Sequence, residues 1–303
     1  MVGVMKKTLL AICISIRFQF VILAAICVFL GFAYAYFVGA SISWFRVLLV
    51  FVGGMSAHAA VDLLNDWHDT RSGLDAVTQR TPFSGGSGAL QRFPDQASAI
   101  LVAGVVGCLI PVLCGIYFLL QGLWGIVPLG LLGLGLIVFY TPWLTKKPLF
   151  CLMAPGLAFG PLMVCGTFYV LTGTFTWNVF ILSLIPFFLV NNLLLLNQFP
   201  DLEADRSVGR HTMPIFAGLR RCTGVLAGFY LATYGVLALL IIAKIVPLYC
   251  VFAFATAFPA FFVVKMLVVD EFCEKNGEKS LKNNVLVTLL TPLVIGVVVL
   301  LTN

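Results

Sequence analysis

Residues 44–75 read Trp44-Phe-Arg46-Val-Leu-Leu-Val-Phe-Val-Gly-Gly-Met-Ser-Ala-His58-Ala-Ala-Val-Asp62-Leu-Leu-Asn65-Asp66-Trp67-His68-Asp69-Thr-Arg71-Ser-Gly73-Leu-Asp75. The first two thirds are apolar or small, and the run is as long as the roughly 20 residues a helix needs to cross bilayer hydrocarbon. It then ends in a cluster of carboxylates. At about 100° per residue, His58, Asp62, Asn65, Asp66 and Asp69 share one face of a helix leaving the membrane. Ionisable residues on a membrane helix mark function by default.

The rest of the chain agrees with a membrane origin. Of 303 residues, 61% are hydrophobic and 10% charged, with mean hydropathy +1.08, whereas soluble domains carry about 25% charged residues. A cytosolic enzyme, a disordered chain and a nucleic-acid-binding module are excluded. Apolar runs of spanning length fall at approximately 17–38, 44–66, 97–120, 123–141, 150–171, 177–199, 219–243, 245–268 and 284–302. Prolines inside several of them (Pro111, Pro128, Pro155, Pro161, Pro186, Pro259) predict kinks that neighbouring helices accommodate. Lys6 and Lys7 precede the first run, and without a small-residue cleavage site it reads as a retained anchor. Nine cysteines, Cys273 among them, include no CxxC pair and behave as small hydrophobes. The glycines of Leu129–Gly135 lie in a span and predict close helix packing.

Positive charge sets the expected orientation. With the N-terminus inside, sixteen of the eighteen Lys and Arg residues face the cytoplasm and only Arg46 and Lys244 face outward. The C-terminus is then outside the cell membrane, and all acidic residues gather near the inner side.

A second cluster closes the sixth run: Asn197-Gln-Phe-Pro-Asp201-Leu-Glu203-Ala-Asp205-Arg206-Ser-Val-Gly209-Arg210-His211. Asn197, Asp201 and Asp205 also share a face. Aligned carboxylates repel one another, and a divalent cation is the physical remedy. Mg²⁺ takes hard oxygen ligands and shares them with substrate phosphates. Two such faces brought together would present Mg²⁺ to a diphosphate, with Arg71, Arg80, Arg206 and Arg210 as further donors. His58 reads first as a helix–helix hydrogen-bonding residue.

Two aspartate-rich motifs after the second and sixth spans resemble those of the UbiA-type intramembrane prenyltransferases. Asn65-Asp66-Trp67-His68-Asp69 matches the start of the first motif and Asp201-Leu-Glu-Ala-Asp205 the second, continuing through Gly209 and Thr212-Met-Pro214. Gly73 stands where many members carry an aspartate, with Asp75 displaced beyond it. That pattern looks like the branch that prenylates 1,4-dihydroxy-2-naphthoate on the way to menaquinone. The resemblance implies a single all-α domain over 1–303, with nine transmembrane helices around a central cavity opening to the cytoplasm. Its acidic loops fall at about 67–96 and 200–218. It also implies Mg²⁺ held by Asp66, Asp69, Asp201 and Asp205, with Asn65, Asn197 and Asp75 as further candidates. The reaction implied is transfer from a prenyl diphosphate to an aromatic acceptor, in the lipid bilayer and without an obligate protein partner. Other acceptors stay open: 4-hydroxybenzoate, homogentisate, a glycerol phosphate lipid or a haem vinyl group. Asp62 either orients the acceptor hydroxyl or hydrogen-bonds a neighbouring helix. Ser84-Gly-Gly-Ser-Gly88 is either a backbone nest for an anion or a hinge. The rival class, an ion-coupled transporter, fits poorly, because the acids sit at one interface and nine spans do not halve.

Overall fold

A computed structural model describes residues 2–78, 80, 81, 84–269, 272 and 274–302; Cys273 lies outside the described residues. Among the described residues every regular element is helical. We number the long helices α1 (Val2–Ser15), α2 (Phe18–Phe37), α3 (Trp44–Ser72), α4 (Ala97–Leu120), α5 (Ile126–Phe139), α6 (Pro148–Thr172), α7 (Trp177–Asn197), α8 (Leu219–Ile242), α9 (Leu248–Val269) and α10 (Glu274–Leu301). Eight of these are long and apolar enough to cross a membrane. α5 is apolar but only 14 residues long, about 21 Å at 1.5 Å per residue against hydrocarbon about 30 Å thick. The nine expected spans therefore appear as eight of bilayer length and a short ninth.

Local chemistry sets the helix ends. The Ser43 hydroxyl caps α3 by accepting from the Arg46 N–H, and the Thr176 hydroxyl caps α7 by accepting from Val179, each satisfying a donor the first turn leaves free. Pro161 has no N–H to give, and α6 widens into π geometry over Ala158–Cys165, a known response to a disrupted ladder. α9 begins as a 3₁₀ segment, Leu248–Thr256. α10 starts ten residues before the predicted 284, because the polar stretch from Glu274 forms its first turns.

From α2 onward each helix packs on its successor, and α10 closes the bundle against α2. α2 and α7 are the most enclosed, with 67% of each spanning window buried against 28% for α8 and α9. The outer helices turn large apolar side chains outward, such as Leu231, Ile242 and Phe258, as lipid-facing surfaces do. α1 was not foreseen as a separate helix. It runs to a break at Arg17, which has a left-handed φ of 50°, and it packs Ala11, Ile12 and Ile14 against Leu63, Trp67 and Ile100.

Where apolar contact cannot distinguish protein from lipid, polar side chains fix α7, α8 and α10 together. The Tyr230 hydroxyl donates to Asn284 Oδ1 at 2.6 Å, Asn284 Nδ2 to the Asn192 carbonyl at 2.9 Å, and Asn192 Nδ2 to the Leu226 carbonyl at 3.0 Å. Asn284→Leu strands the buried Tyr230 hydroxyl and removes the second donor to the Asn192 carbonyl, and should cost about 1–3 kcal/mol. Tyr230→Phe strands only one acceptor and should cost less. Thermal unfolding in detergent ranks the two variants, and equal melting of all three proteins would contradict this network.

Candidate active site

A cavity of about 620 Å³ lies within the bundle, lined by residues of α2 through α7 and the loops beside them. Among the described residues α8, α9 and α10 contribute none of its lining, so it sits among six helices rather than at the centre of nine. One end is polar and the remainder apolar. Asn65 and Asp69 of α3, Asp75, Asn197 of α7, Asp201, Asp205 and Arg210 all line the polar end. The two acidic clusters thus meet.

Arg210 joins them. Its Nη2 donates to Asp69 Oδ1, and its Nη1 to Asp205 Oδ1 at 3.2 Å. The backbone prepares this reach. Asp205 lies in the short helix Leu202–Ser207, Gly209 reverses the chain at φ 76°, and Arg210 N–H donates to the Asp205 carbonyl at 3.0 Å. His211 N–H then donates to the Thr145 carbonyl at 2.9 Å, tying the segment to the loop before α6. Asn65 Nδ2 donates to Asp69 Oδ2 at 3.0 Å, while Asn65 Oδ1 accepts from Thr141 at 2.9 Å.

Asn197 Oδ1 and Asp201 Oδ1 are buried, and neither has a hydrogen-bond partner among the described residues. Burial, and then Asp205 beside it, push the Asp201 carboxyl up to about 7, against a hydrogen bond from the Gly85 backbone and the charge of Arg210. Burial also raises Asp205, opposed by Arg210.

Asp66 goes elsewhere. Three residues before Asp69, it is rotated about 60° around α3, and it is not among the cavity's lining residues. Its carboxylate instead accepts from the Ser15 hydroxyl of α1, from Ser87 Oγ at 2.6 Å and from the Ser87 N–H at 3.3 Å. Arg71, Arg80 and Arg206 do not line the cavity either. Arg71 stacks 4.8 Å over the Trp67 ring, and Arg206 is exposed and pairs with Glu203 at 3.2 Å. Arg80 lies against Gly88. Asp62 and His58 do line the cavity, deeper along α3, with Oδ2 and Nε2 3.6 Å apart and neither hydrogen-bonded among the described residues.

The displaced Asp75 is explained by Gly73. Gly73 ends α3 in the left-handed region, φ 78°, where a β-carbon is strained. The chain turns there into the short helix Leu74–Val77, which brings Asp75 back to the cavity with Thr70 donating to it at 3.0 Å. The Ser84–Gly88 loop serves the protein's own carboxylates: Ser87 binds Asp66, Gly85 approaches Asp201, and Gly86 abuts Asp75. The sequence reading did not place Arg17 in the site, counting it only as an inner positive charge. Its guanidinium lines the cavity and acts electrostatically on Asp62 and Asp201.

Residues 24–282 match the model of the UbiA prenyltransferase family. The chain belongs to that family. The UbiA resemblance of the two motifs is therefore sound, and it removes the transporter reading. A curated relative, the 1,4-dihydroxy-2-naphthoate octaprenyltransferase of Bacillus subtilis (strain 168), is 26% identical over 177 residues, or 58% of this chain and 56% of that one. The chain thus aligns with little more than half of that relative's length. The fold matches a UbiA homologue from Aeropyrum pernix K1 in its apo form, with TM-score 0.67 at 16% identity, covering 92% of this chain and 98% of that one. It also matches a UbiA homologue from Archaeoglobus fulgidus bound to DMAPP and Mg²⁺, with TM-score 0.58 at 14% identity, covering 94% and 99%.

Gly86 offers a direct test of the loop. At φ +78°, a β-carbon there would stand 2.5 Å from Asp75 Oδ1. Gly86→Ala should therefore destabilise by about 1–3 kcal/mol and lower activity by displacing Asp75. A variant that melts and works like the unsubstituted protein would contradict this packing.

Proposed function

We propose that this chain transfers a polyprenyl group from an allylic prenyl diphosphate to 1,4-dihydroxy-2-naphthoate, in the cell membrane and at its cytoplasmic side. The observation that carries the proposal is the meeting of two acidic helix ends, joined by Arg210, at the polar end of an otherwise apolar cavity. A polyprenyl diphosphate has that same polarity, with an anionic head on a hydrocarbon tail. The partial match to the Bacillus subtilis enzyme supports the acceptor, and the excess of positive charge on one set of loops supports the orientation.

The residues present suit Mg²⁺. Asp201 Oδ1 and Asn197 Oδ1 are buried oxygen acceptors without donors, and Asp69 and Asp205 share a single guanidinium between them. Among the described residues no three carboxylate, imidazole or thiol side chains cluster closely enough to enclose a cation alone. An ion such as Mg²⁺ keeps waters and takes phosphate oxygens, so the protein supplies only part of its ligand set. Asp69, Asp201, Asp205, Asn65 and Asn197 would hold it, with Asp75 beside them. When bound it supplies neutralisation of the leaving diphosphate.

The chain's own residues account for the rest. Arg210 and Arg17 add positive charge where the diphosphate gathers negative charge as the allylic C–O bond breaks. The apolar walls keep out the water that would quench the allylic cation, and Phe20, Phe118 and Phe159 are among the residues that line them, aromatic rings of the kind that shield a cation. Asp62, with an unpartnered oxygen deeper in the cavity, orients the acceptor hydroxyl or takes its proton. The ring carbon then bonds the prenyl carbon, and loss of a proton or of the carboxyl group as CO₂ restores aromaticity.

Asp69→Asn, Asp201→Asn and Asp205→Asn should each remove about 3–4 kcal/mol of transition-state stabilisation, or roughly 10²–10³ in turnover. Purified protein, Mg²⁺, octaprenyl diphosphate and 1,4-dihydroxy-2-naphthoate form the assay. Normal turnover in Asp201→Asn would sink the assignment, and turnover with 4-hydroxybenzoate instead would replace the acceptor.

The pH dependence follows from Asp201. Its carboxyl, held at about 7 without a metal, carries a proton below that pH, and the proton competes with Mg²⁺. The Mg²⁺ concentration for half-maximal rate should therefore rise as pH falls from about 7 towards 6, and should level off in the alkaline range. Mg²⁺ titrations at several pH values check this, and Asp201→Asn should make the slope shallower.

A further inference from the structure

The cavity extends far beyond the acidic end. Along α3 its lining runs from Asp69 to Leu49, twenty residues or about 30 Å at helical rise, which is the thickness of bilayer hydrocarbon. Six helix glycines line that length: Gly53, Gly54, Gly115, Gly130, Gly133 and Gly166. Glycines elsewhere in the bundle seat helix contacts. A β-carbon on Gly104 would stand 2.9 Å from Leu64, and one on Gly107 3.1 Å from Ala60. Among the cavity glycines Gly54 seats such a contact, a β-carbon there standing 2.9 Å from Val28, but the other five differ. A β-carbon on Gly115 or Gly130 meets nothing within 4 Å, and on Gly133, Gly166 or Gly53 only ordinary contacts at 3.9, 3.8 and 3.7 Å. The α5 glycines, expected to bring helices together, instead leave space.

Glycine in an exposed or loosely packed helix interior costs about 0.5–1 kcal/mol against alanine. In α5 that cost is incurred twice on the cavity wall, in a helix with no buried residue. The cavity gains width there, and the width is continuous with the acidic end.

We infer that Gly115, Gly130 and Gly133 set the length of prenyl chain this protein accepts, by keeping open the apolar passage between α3, α4, α5 and α6 through which the tail runs. The inference rests on the proposed function and adds which residues select the substrate. A tail of one or two isoprene units stays near the acids and never reaches these glycines. A long polyprenyl tail passes them, and a side chain there obstructs it.

The test compares geranyl, farnesyl and octaprenyl diphosphates on Gly130→Leu and Gly115→Leu, with Gly130→Ala as a milder variant. Gly135→Leu is the control, since Gly135 has open space around it but does not line the cavity. Because a methylene-scale change in an apolar pocket is worth roughly 10–200-fold in kcat/KM, Gly130→Leu should lower the octaprenyl-to-geranyl ratio of kcat/KM at least about tenfold. Gly130→Ala should lower it less, and Gly135→Leu should leave it unchanged. An unchanged ratio in folded Gly130→Leu and Gly115→Leu, or an equal loss for every chain length, overturns the inference while leaving the proposed function standing. Absence of any prenylated product from the unsubstituted protein overturns both. A second measurement needs no turnover: octaprenyl diphosphate should slow maleimide labelling of Gly130→Cys and geranyl diphosphate should not. Equal protection by both, or by neither, rejects the inference even where the Leu variants fail to fold.

Discussion

Arg210 carries one positive charge into a space shared by several carboxylates, and the geometry of the polar end follows from that imbalance. It reaches Asp69 on α3 and Asp205 beyond α7, joining segments 141 residues apart in the chain. A buried ion pair gains little in net stability, because desolvation offsets attraction, but breaking one leaves an unpaired buried charge and is costly. The contact therefore specifies an arrangement more than it strengthens the fold. The turn at Gly209, the Thr145–His211 hydrogen bond and the Asn65–Asp69 contact all hold donor and acceptors in register. Asp201, left with the Gly85 backbone and a distant share of positive charge, keeps an unusually high proton affinity.

The rest of the bundle divides around that point. α2 and α7 are deeply enclosed, and α7 is fixed to α8 and α10 by side-chain hydrogen bonds, so the second acidic segment leaves a rigid base. The opposite wall is α5, which is short, glycine-bearing and without a buried residue. A firm wall positions the charges and a thin wall bounds the apolar space. Small changes on the α7 side should therefore register as stability, and small changes on the α5 side as substrate preference.

Much of this was legible in the sequence, for physical reasons that also mark where legibility stopped. Bilayer thickness sets span length, so most spans could be placed within a few residues. Charge density marked both acidic segments and Arg210. A helical period assigns a residue to a face but not to a neighbour. Asp66 shares a broad arc with Asp62, yet its offset of about 60° from Asp69 turns it to α1 and Ser87. That partner could not be read, because α1 has no spanning length and ends at a left-handed Arg17 that no local pattern requires. The α5 glycines misled for a related reason. Small residues serve close packing and open space equally well, and only the neighbours distinguish the two.

Asp66 shows how a residue outside the cavity still belongs to its chemistry. Its hydrogen bonds from Ser87 hold one end of the Ser84–Gly88 loop, while Gly86 lies against Asp75 and Gly85 donates to Asp201. The loop thereby ties the first acidic segment to the second by a route independent of Arg210, and through Ser15 it also engages α1. A carboxylate at position 66 is needed because three donors converge there, and a neutral amide could accept at only one of its two terminal atoms. Ser84, Gly85 and Gly86 line the polar end themselves, so the groups that set charge in the site also shape the wall that shuts water out. Both requirements of the proposed reaction through an allylic cation, a stabilised leaving group and a dry site, thus depend on the same few carboxylates.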